Sequence, residues 1–399
     1  MRDLPYSNRI EPYLEAIADC DAFFVADRDY GRIINYRRMG SDVFPDPASA
    51  PDAHTAYLWG LRRQCRGLVF DLAGNVISPG FEKFFNLNEN AETQCMHMDL
   101  GQPHVIVEKA DGSMIRPIPM VSGGYRLGTK MGTTEVALQP EAWVQQNPAY
   151  DRMMRDMLRE GWVPLMEWCS RQNRIVVDYP EDRLILLAVR RVQDGVYMTF
   201  TQMQELATEY GVELVRRYEG TVHNMQYLMD ETRDLQGQEG WVIWFDNGYR
   251  VKLKASEYLQ IHRAKEGILR ENALIGMILD EKLDDVKSFL PDADREAVSA
   301  YETAFWMGVN HTVGKWQLAY LDVKSQFGTD RKGFALDWAP KFDGHLRGAI
   351  FKAWDDPQFD FREAVILAVR KATSTQVKID ENRYLWGDAR WCMHAVGDE

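Results

Sequence analysis

Lys109 closes the apolar stretch Val105-Ile106-Val107-Glu108-Lys109 and is followed by Ala110-Asp111-Gly112-Ser113. Strand side chains alternate, so Val105, Val107 and Lys109 fall on one face. Asp111-Gly112 reads as a turn pair, glycine being free to take φ > 0, and Met114-Ile115 resumes the strand pattern. The expected result is a lysine on an apolar strand face, beside a turn with room for a ligand. Such a lysine becomes a nucleophile when its pKa falls from the ordinary value of about 10.4. Read alone, K-x-D-G fits an exposed hairpin lysine more often than a catalytic one.

Five further segments carry charge where a sheet core would take apolar residues. Arg66 precedes Gly67-Leu68-Val69-Phe70, and Lys83 sits within Phe81-Glu82-Lys83-Phe84-Phe85-Asn86. Glu167 lies in Leu165-Met166-Glu167-Trp168, and Glu239 opens Glu239-Gly240-Trp241-Val242-Ile243. Lys252 and Lys254 share one strand face, with Val251 and Leu253 on the other. Buried charges persist only when paired or bound to something charged. A pocket holding a triphosphate and a divalent metal accounts for both signs together. Each residue also has a plainer reading: Arg66, Lys83 and Lys130 as surface cations, Glu167 and Glu239 as hairpin salt-bridge partners, the lysine pair as a solvated edge strand.

The elements that must position these groups are mostly strands. A short helix is expected at Tyr13 to Ala18, strand pieces at residues 22–25 and 33–36, and a loop at 46–52. Hairpin patterns follow around Gly74-Asn75 and Gly123-Gly124. Met153, Met157 and Leu158 share a helix face. Pro164 to Cys169, Arg174 to Tyr179 and Leu184 to Arg190 read as strands, and Phe200 to Tyr210 as a helix. Asp246-Asn247-Gly248 is the strongest turn signal, joining strands at 241–245 and 249–254. After about Leu259 the pattern turns helical: Ala297, Tyr301, Ala304, Phe305, Gly308, Thr312 and Trp316 recur at helical spacing, and tryptophans 306, 316, 338 and 354 fit helix-packing anchors. The expected fold class is α+β: an antiparallel-β-rich domain over residues 1–263 followed by an all-helical domain over 264–399.

Composition narrows the function classes. The 399 residues suffice for two domains, and 45% apolar with 27% charged content is that of a soluble globular protein. No apolar run reaches membrane-spanning length, and Met1-Arg2-Asp3-Leu4-Pro5 lacks the apolar core of a signal peptide. The five cysteines (Cys20, Cys65, Cys95, Cys169, Cys392) form no Cys-x-x-Cys and read as reduced packing residues of a cytoplasmic protein. Eight scattered histidines give no zinc pattern. A net charge of −13 argues against a general nucleic-acid coat, though not against an enzyme whose basic residues gather in one cleft.

Taken in order, these segments resemble the covalent nucleotidyltransferases, and most closely the phage RNA ligase 1 family, from about Tyr36 to His262. Lys109-Ala110-Asp111-Gly112-Ser113 looks like motif I, whose lysine takes AMP as a phosphoramidate. Glu167 looks like the motif III glutamate, Glu239-Gly240 like motif IV, and Lys252-Leu253-Lys254 like motif V. Cys65-Arg66-Gly67, the run Glu82 to Glu89, Lys130 and Asn173-Arg174-Ile175-Val176 are closer to RNA ligase 1 than to DNA ligases or capping enzymes. The resemblance implies an adenylyltransferase domain, with the helical domain tied to RNA choice. It implies Lys109 as nucleophile and an ATP site formed by Tyr36, Arg66, Lys83, Asp111, Gly112, Lys130, Glu167, Glu239, Gly240, Lys252 and Lys254. Glu167 and Glu239 suit Mg²⁺, with Mn²⁺ an alternative. Asp284-Asp285 matches a family acidic pair at a similar offset, and equally reads as a helix-start pair favoured by the dipole.

The implied activity is ATP-dependent joining of RNA 5′-phosphate and 3′-hydroxyl ends through lysyl-AMP and RNA-adenylate, as in RNA or nicked-tRNA repair. The place would be the cytoplasm, the host's if the gene is a phage's. No membrane or obligate protein partner is read. Two alternatives stay open: a nucleotidyltransferase acting on other ends such as single-stranded DNA, and a non-catalytic RNA-binding protein on a ligase scaffold.

Overall fold

The computed structural model describes residues 4–40, 42–220, 222, 224–387 and 389–391. Met1 to Asp3 and Cys392 lie outside the described residues. The chain divides into two compact units between Leu259 and Gln260.

Unit 1 is built on strands β1 (Phe23–Arg28), β2 (Gly31–Tyr36), β3 (Leu68–Phe70), β4 (Val76–Ser78), β5 (Phe85–Asn86) and β6 (His104–Glu108). Strands β7 (Ser113–Pro119), β8 (Tyr125–Gly128), β9 (Trp162–Cys169), β10 (Arg183–Arg191), β11 (Gly240–Phe245) and β12 (Arg250–Lys254) follow. They form three four-stranded sheets, ordered β1-β2-β3-β4, β10-β9-β7-β8 and β5-β12-β11-β6. Among these pairings only β5 with β12 is parallel. The hairpin expected at Asp246-Asn247-Gly248 joins β11 to β12, with Gly248 in the left-handed region at φ 85°.

Two sequence expectations are corrected, and one helix lies where none was expected. Lys109 to Gly112 is not a hairpin turn: β6 pairs with β11, β7 with β8 and β9, so the segment crosses from one sheet to another. Residues 174–179 form no strand. Their amides serve a side chain instead, Val176 and Val177 both donating to the Asp111 carboxylate at 2.8 and 2.7 Å. A helix at Ala53–Gln64 occupies sequence with no apolar period; Asp52 caps it, accepting from the Thr55 amide at 2.8 Å.

The central core packs Ile115, Leu165, Met166, Trp168, Leu184 and Leu186 of β7, β9 and β10 under two helices. Pro148–Arg159 contributes Met153, Met154 and Met157, and Phe200–Tyr210 contributes Met203 and Leu206.

Unit 2 is helical. Its 36-residue helix Asp292–Phe327 buries Val298, Tyr301, Phe305, Val309, Thr312 and Trp316. This stripe runs every three or four residues, the helical period. Ala297 and Ala304 face solvent instead. Of the four expected tryptophan anchors Trp316 is fully buried, while Trp306, Trp338 and Trp354 are half-buried. Trp386, not expected as an anchor, is fully buried. Gly308 is where the Trp386 carbonyl meets the long helix; a Cβ there would overlap it. Among the described residues no helix is long and apolar enough to cross a membrane.

Candidate active site

The site forms where β6, β11 and β12 end together. Register places Glu108 opposite Trp241 and Gly240 opposite Lys254. The backbone amide of Lys109 donates to the Gly240 carbonyl at 2.9 Å. Lys109, Gly240 and Lys254 therefore stand side by side across three strands. Gly240 has φ 144°, and a Cβ there would overlap the Leu253 carbonyl, so glycine is required for this close pairing.

Glu239, one residue outside β11, drops into the middle of this row. Its side chain is fully buried and binds Lys109 Nζ at 2.6 Å and Lys254 Nζ at 3.1 Å. One carboxylate thus holds two lysines that would otherwise repel. Lys252, two residues before Lys254 and on the same strand face, lies 5.3 Å from the Phe84 ring centroid.

Behind Lys109 the crossing segment is fixed by Asp111, which is 2% exposed. Besides Val176 and Val177, its carboxylate accepts from the Tyr258 hydroxyl at 2.9 Å. The Asp111 amide donates to Tyr179 Oη at 3.1 Å. Asp111 is thereby committed to shaping the chain. Gly112 does not take a positive φ. It is needed because a Cβ would overlap the Trp168 carbonyl of β9. Asn173 reaches the same segment, donating to Ser113 Oγ at 2.8 Å.

Glu167 on β9 accepts from the Gly112 amide at 3.1 Å. Burial pushes its carboxyl up to about 8; Lys109 and Arg66 pull it down, while Glu239 and Asp111 push it further up. At neutral pH Glu167 is therefore mostly protonated, while Glu239 is ion-paired. Two carboxyl groups that both act on one lysine are thus prepared for different tasks.

The remaining sequence-predicted residues sit on the neighbouring strands and loops of unit 1. Lys83 is buried against Phe85 and Phe44, its Nζ 4.9 and 6.0 Å from their ring centroids. Tyr36 packs edge-on to the same Phe44, with centroids 5.1 Å apart, and Lys130 Nζ lies 5.7 Å from the Tyr36 ring. Arg66 is half-buried and close enough to act on Glu167. Asp284 and Asp285 belong to unit 2, in the short helix Leu283–Lys287; both are exposed, and Asp284 pairs with Lys287 at 3.4 Å.

Sequence reasoning missed two supports. Tyr258 lies four residues past Lys254, under its ammonium at 5.2 Å and bonded to Asp111; an aromatic at that offset was the available signal. Arg116 on β7 is fully buried and donates to the Gly67 carbonyl, next to Arg66. Burial lowers its guanidinium to about 9. Nothing in its strand pattern distinguishes it.

A lysine at a strand end, one carboxylate between two lysines and further cations nearby suit the binding of phosphate groups. The comparisons agree. Residues 64–258 match the RNA ligase family model. This segment is thus similar to the phage-type RNA ligases. A putative RNA ligase of Thermovibrio ammonificans is 30% identical over 235 residues, 57% of this chain and 60% of that protein. RNA ligase 1 of bacteriophage TS2126 is 27% identical over 241 residues, 56% and 57% of the two chains. The chain thus spans about 60% of the length of these relatives. Among solved structures, an archaeal ATP-dependent RNA ligase aligns at 15% identity and TM-score 0.41, over 70% of this chain and 72% of that one. A Naegleria gruberi RNA ligase variant with ATP and Mn aligns at 16% identity and TM-score 0.34, over 41% and 52%.

Proposed function

We propose that this chain is an ATP-dependent RNA ligase with Lys109 as its nucleophile. The observation that carries the reading is the Lys109–Glu239–Lys254 arrangement at the ends of three paired strands, inside the segment that matches the RNA ligase family. Lys109 Nζ, once unprotonated, attacks the α-phosphorus of ATP; the N–P bond forms and the bond to pyrophosphate breaks. An oxygen of an RNA 5′-phosphate then displaces the lysine, giving RNA-adenylate and returning the amine. A 3′-hydroxyl attacks the activated phosphorus, loses its proton, and AMP leaves.

Arg66, Lys83, Lys130, Lys252 and Lys254 neutralise the phosphates, most strongly in the transition state. Tyr36 flanks the nucleotide, and Asp111, Gly112 and Gly240 hold the backbone that bears the reacting groups. Protonated Glu167 can donate to a ribose hydroxyl and ionised Glu167 can accept from one. Among the described residues no group of three or more acidic, histidine or cysteine side chains could hold a metal. That fits Mg²⁺ or Mn²⁺, of which Mg²⁺ in particular is held by one or two carboxylates together with substrate phosphates rather than by a protein cage. Glu239 and Glu167 are the carboxylates that would hold it, and Asp284 and Asp285 are the other candidates read from the sequence. Such a metal supplies charge neutralisation at the transferring phosphoryl group.

In this reading unit 1 makes lysyl-AMP and unit 2 selects RNA, nicked tRNA being one candidate substrate, in the cytoplasm, the host's if the gene is a phage's. Incubation with labelled ATP and Mg²⁺ followed by a denaturing gel tests the activity. Covalent label followed by sealing of RNA but not DNA supports it. Label with sealing of single-stranded DNA points to other ends, and RNA binding without label to a non-catalytic scaffold.

A further inference from the structure

Unit 1 holds a cavity of about 810 Å³, within the size range of small-molecule sites. It lies at the end of β12 away from Lys254. Arg250, Lys252 and Lys254 share one face of that strand, because alternate side chains point the same way. Lys254 meets Glu239 at one end of this row, and Arg250 lines the cavity at the other.

Four cations of the cavity wall are buried: Arg63, Lys83, Arg190 and Arg250. They face one buried carboxylate, Glu82, two half-buried ones, Glu92 and Asp46, and two exposed ones, Asp194 and Asp246. Glu82 holds Arg250 at 3.0 Å and Arg190 at 3.7 Å, and accepts from the Tyr197 hydroxyl. Glu92 holds Arg63 through two bonds of 2.7 and 2.8 Å. After these pairings Arg250 Nη2 is still buried with no hydrogen-bond partner. Arg250 is 3% exposed, its guanidinium stacked 3.9 Å from the Tyr197 centroid and 4.4 Å from that of Trp244. Phe84 and Tyr249 add aromatic surface to the same wall.

An unfilled guanidinium donor, four fully buried cations with one fully buried carboxylate, and aromatic faces suit a phosphate joined to a planar base. We propose that the cavity takes a nucleotide of a single-stranded polynucleotide, its phosphate on Arg250 and its base against Phe84 and Tyr249. The rest of the strand follows the β12 cations toward Lys109. A free mononucleotide shares this chemistry, but in the ligase reading the free nucleotide, ATP, is held at the other end of β12, beside Lys109 and Lys254. The proposal rests on the ligase reading above.

Two measurements on the full-length chain test it: self-adenylylation with labelled ATP, and fluorescence anisotropy with a 3′-labelled, 5′-phosphorylated single-stranded RNA. Arg250→Lys keeps a cation for Glu82 but removes Nη2. Tyr249→Leu removes a half-buried ring. Each is expected to weaken RNA binding by about tenfold, the scale of one lost stacking or charge-assisted contact, with adenylylation unchanged. If Arg250→Lys melts early, Tyr249→Leu decides alone. Wild-type RNA affinity in Tyr249→Leu, or in a normally melting Arg250→Lys, overturns the proposal. So does slowed self-adenylylation with RNA binding intact. Wild-type protein that never labels with ATP, yet binds RNA in an Arg250-dependent way, would overturn the ligase reading and leave the cavity assignment standing.

Discussion

Lys109 and Glu239 form an ion pair of 2.6 Å in which the carboxylate is fully buried. A second lysine, Lys254, binds its other oxygen at 3.1 Å. Removing one member of a buried pair leaves uncompensated charge, at a cost of about 3–5 kcal/mol. Glu239→Gln should therefore destabilise unit 1 by about 3 kcal/mol, because two ammonium groups lose their shared partner. Urea melts followed by far-UV circular dichroism measure this. Wild-type stability in the variant would mean that the lysines pair elsewhere.

Lys252 and Lys254 share a strand face, and Lys254 holds Glu239 at 3.1 Å. Each changed to Gln should slow lysyl-AMP formation by about 2–4 kcal/mol of transition-state stabilisation, the effect of losing one preorganised charge contact. Lys254→Gln should also lower stability, since Lys254 holds Glu239. Val251→Ala, on the opposite face, should lower stability without the rate effect. Single-turnover adenylylation and thermal melts on the three variants separate these outcomes.

Glu167 ties stability to pH. Its carboxyl rises from 4.5 to about 8 on folding, chiefly through burial. Between these values the folded chain holds a proton that the unfolded chain has released. The stabilisation is complete below about 4.5 and is lost as pH rises toward 8. Glu167→Gln, which mimics the protonated form, should flatten this dependence and melt higher than wild type near pH 8. Differential scanning calorimetry at pH 5.5 and 8 measures it; equal slopes in both proteins would remove Glu167 as the cause.

A fragment ending at Arg263 should still form lysyl-AMP. It keeps β1 to β12 and also Tyr258, whose hydroxyl holds Asp111. Its preference between a nicked tRNA stem-loop and unstructured RNA should be lost if unit 2 selects RNA. A soluble, folded fragment that cannot label at any metal concentration would contradict this division of labour.

What the sequence shows, and what it hides, follows from range. Strand alternation placed Lys252 and Lys254 on one face, and Asp246-Asn247-Gly248 set the register that brings Gly240 opposite Lys254. These are local rules. The crossing of Lys109 to Gly112 between two sheets was not legible, because one strand–turn–strand pattern serves a hairpin and a crossover alike. Val176 and Val177 look like strand residues, yet their amides answer to a carboxylate 65 and 66 positions away. The helix Ala53–Gln64 buries Arg62, Arg63 and Gln64, so hydrophobic period could not reveal it. Arg116 is a charge inside a strand, and only the Gly67 carbonyl it meets explains its direction.

The central claim is that Lys109 carries the covalent AMP. Wild-type and Lys109→Ala proteins are incubated with ATP and Mg²⁺, digested, and mapped by mass spectrometry, with sealing of pre-adenylylated RNA measured in parallel. We expect one AMP on the peptide containing Lys109 in wild type, and none in Lys109→Ala, which should still seal the pre-adenylylated strand. AMP on another lysine, or labelling that persists in Lys109→Ala, would contradict the account.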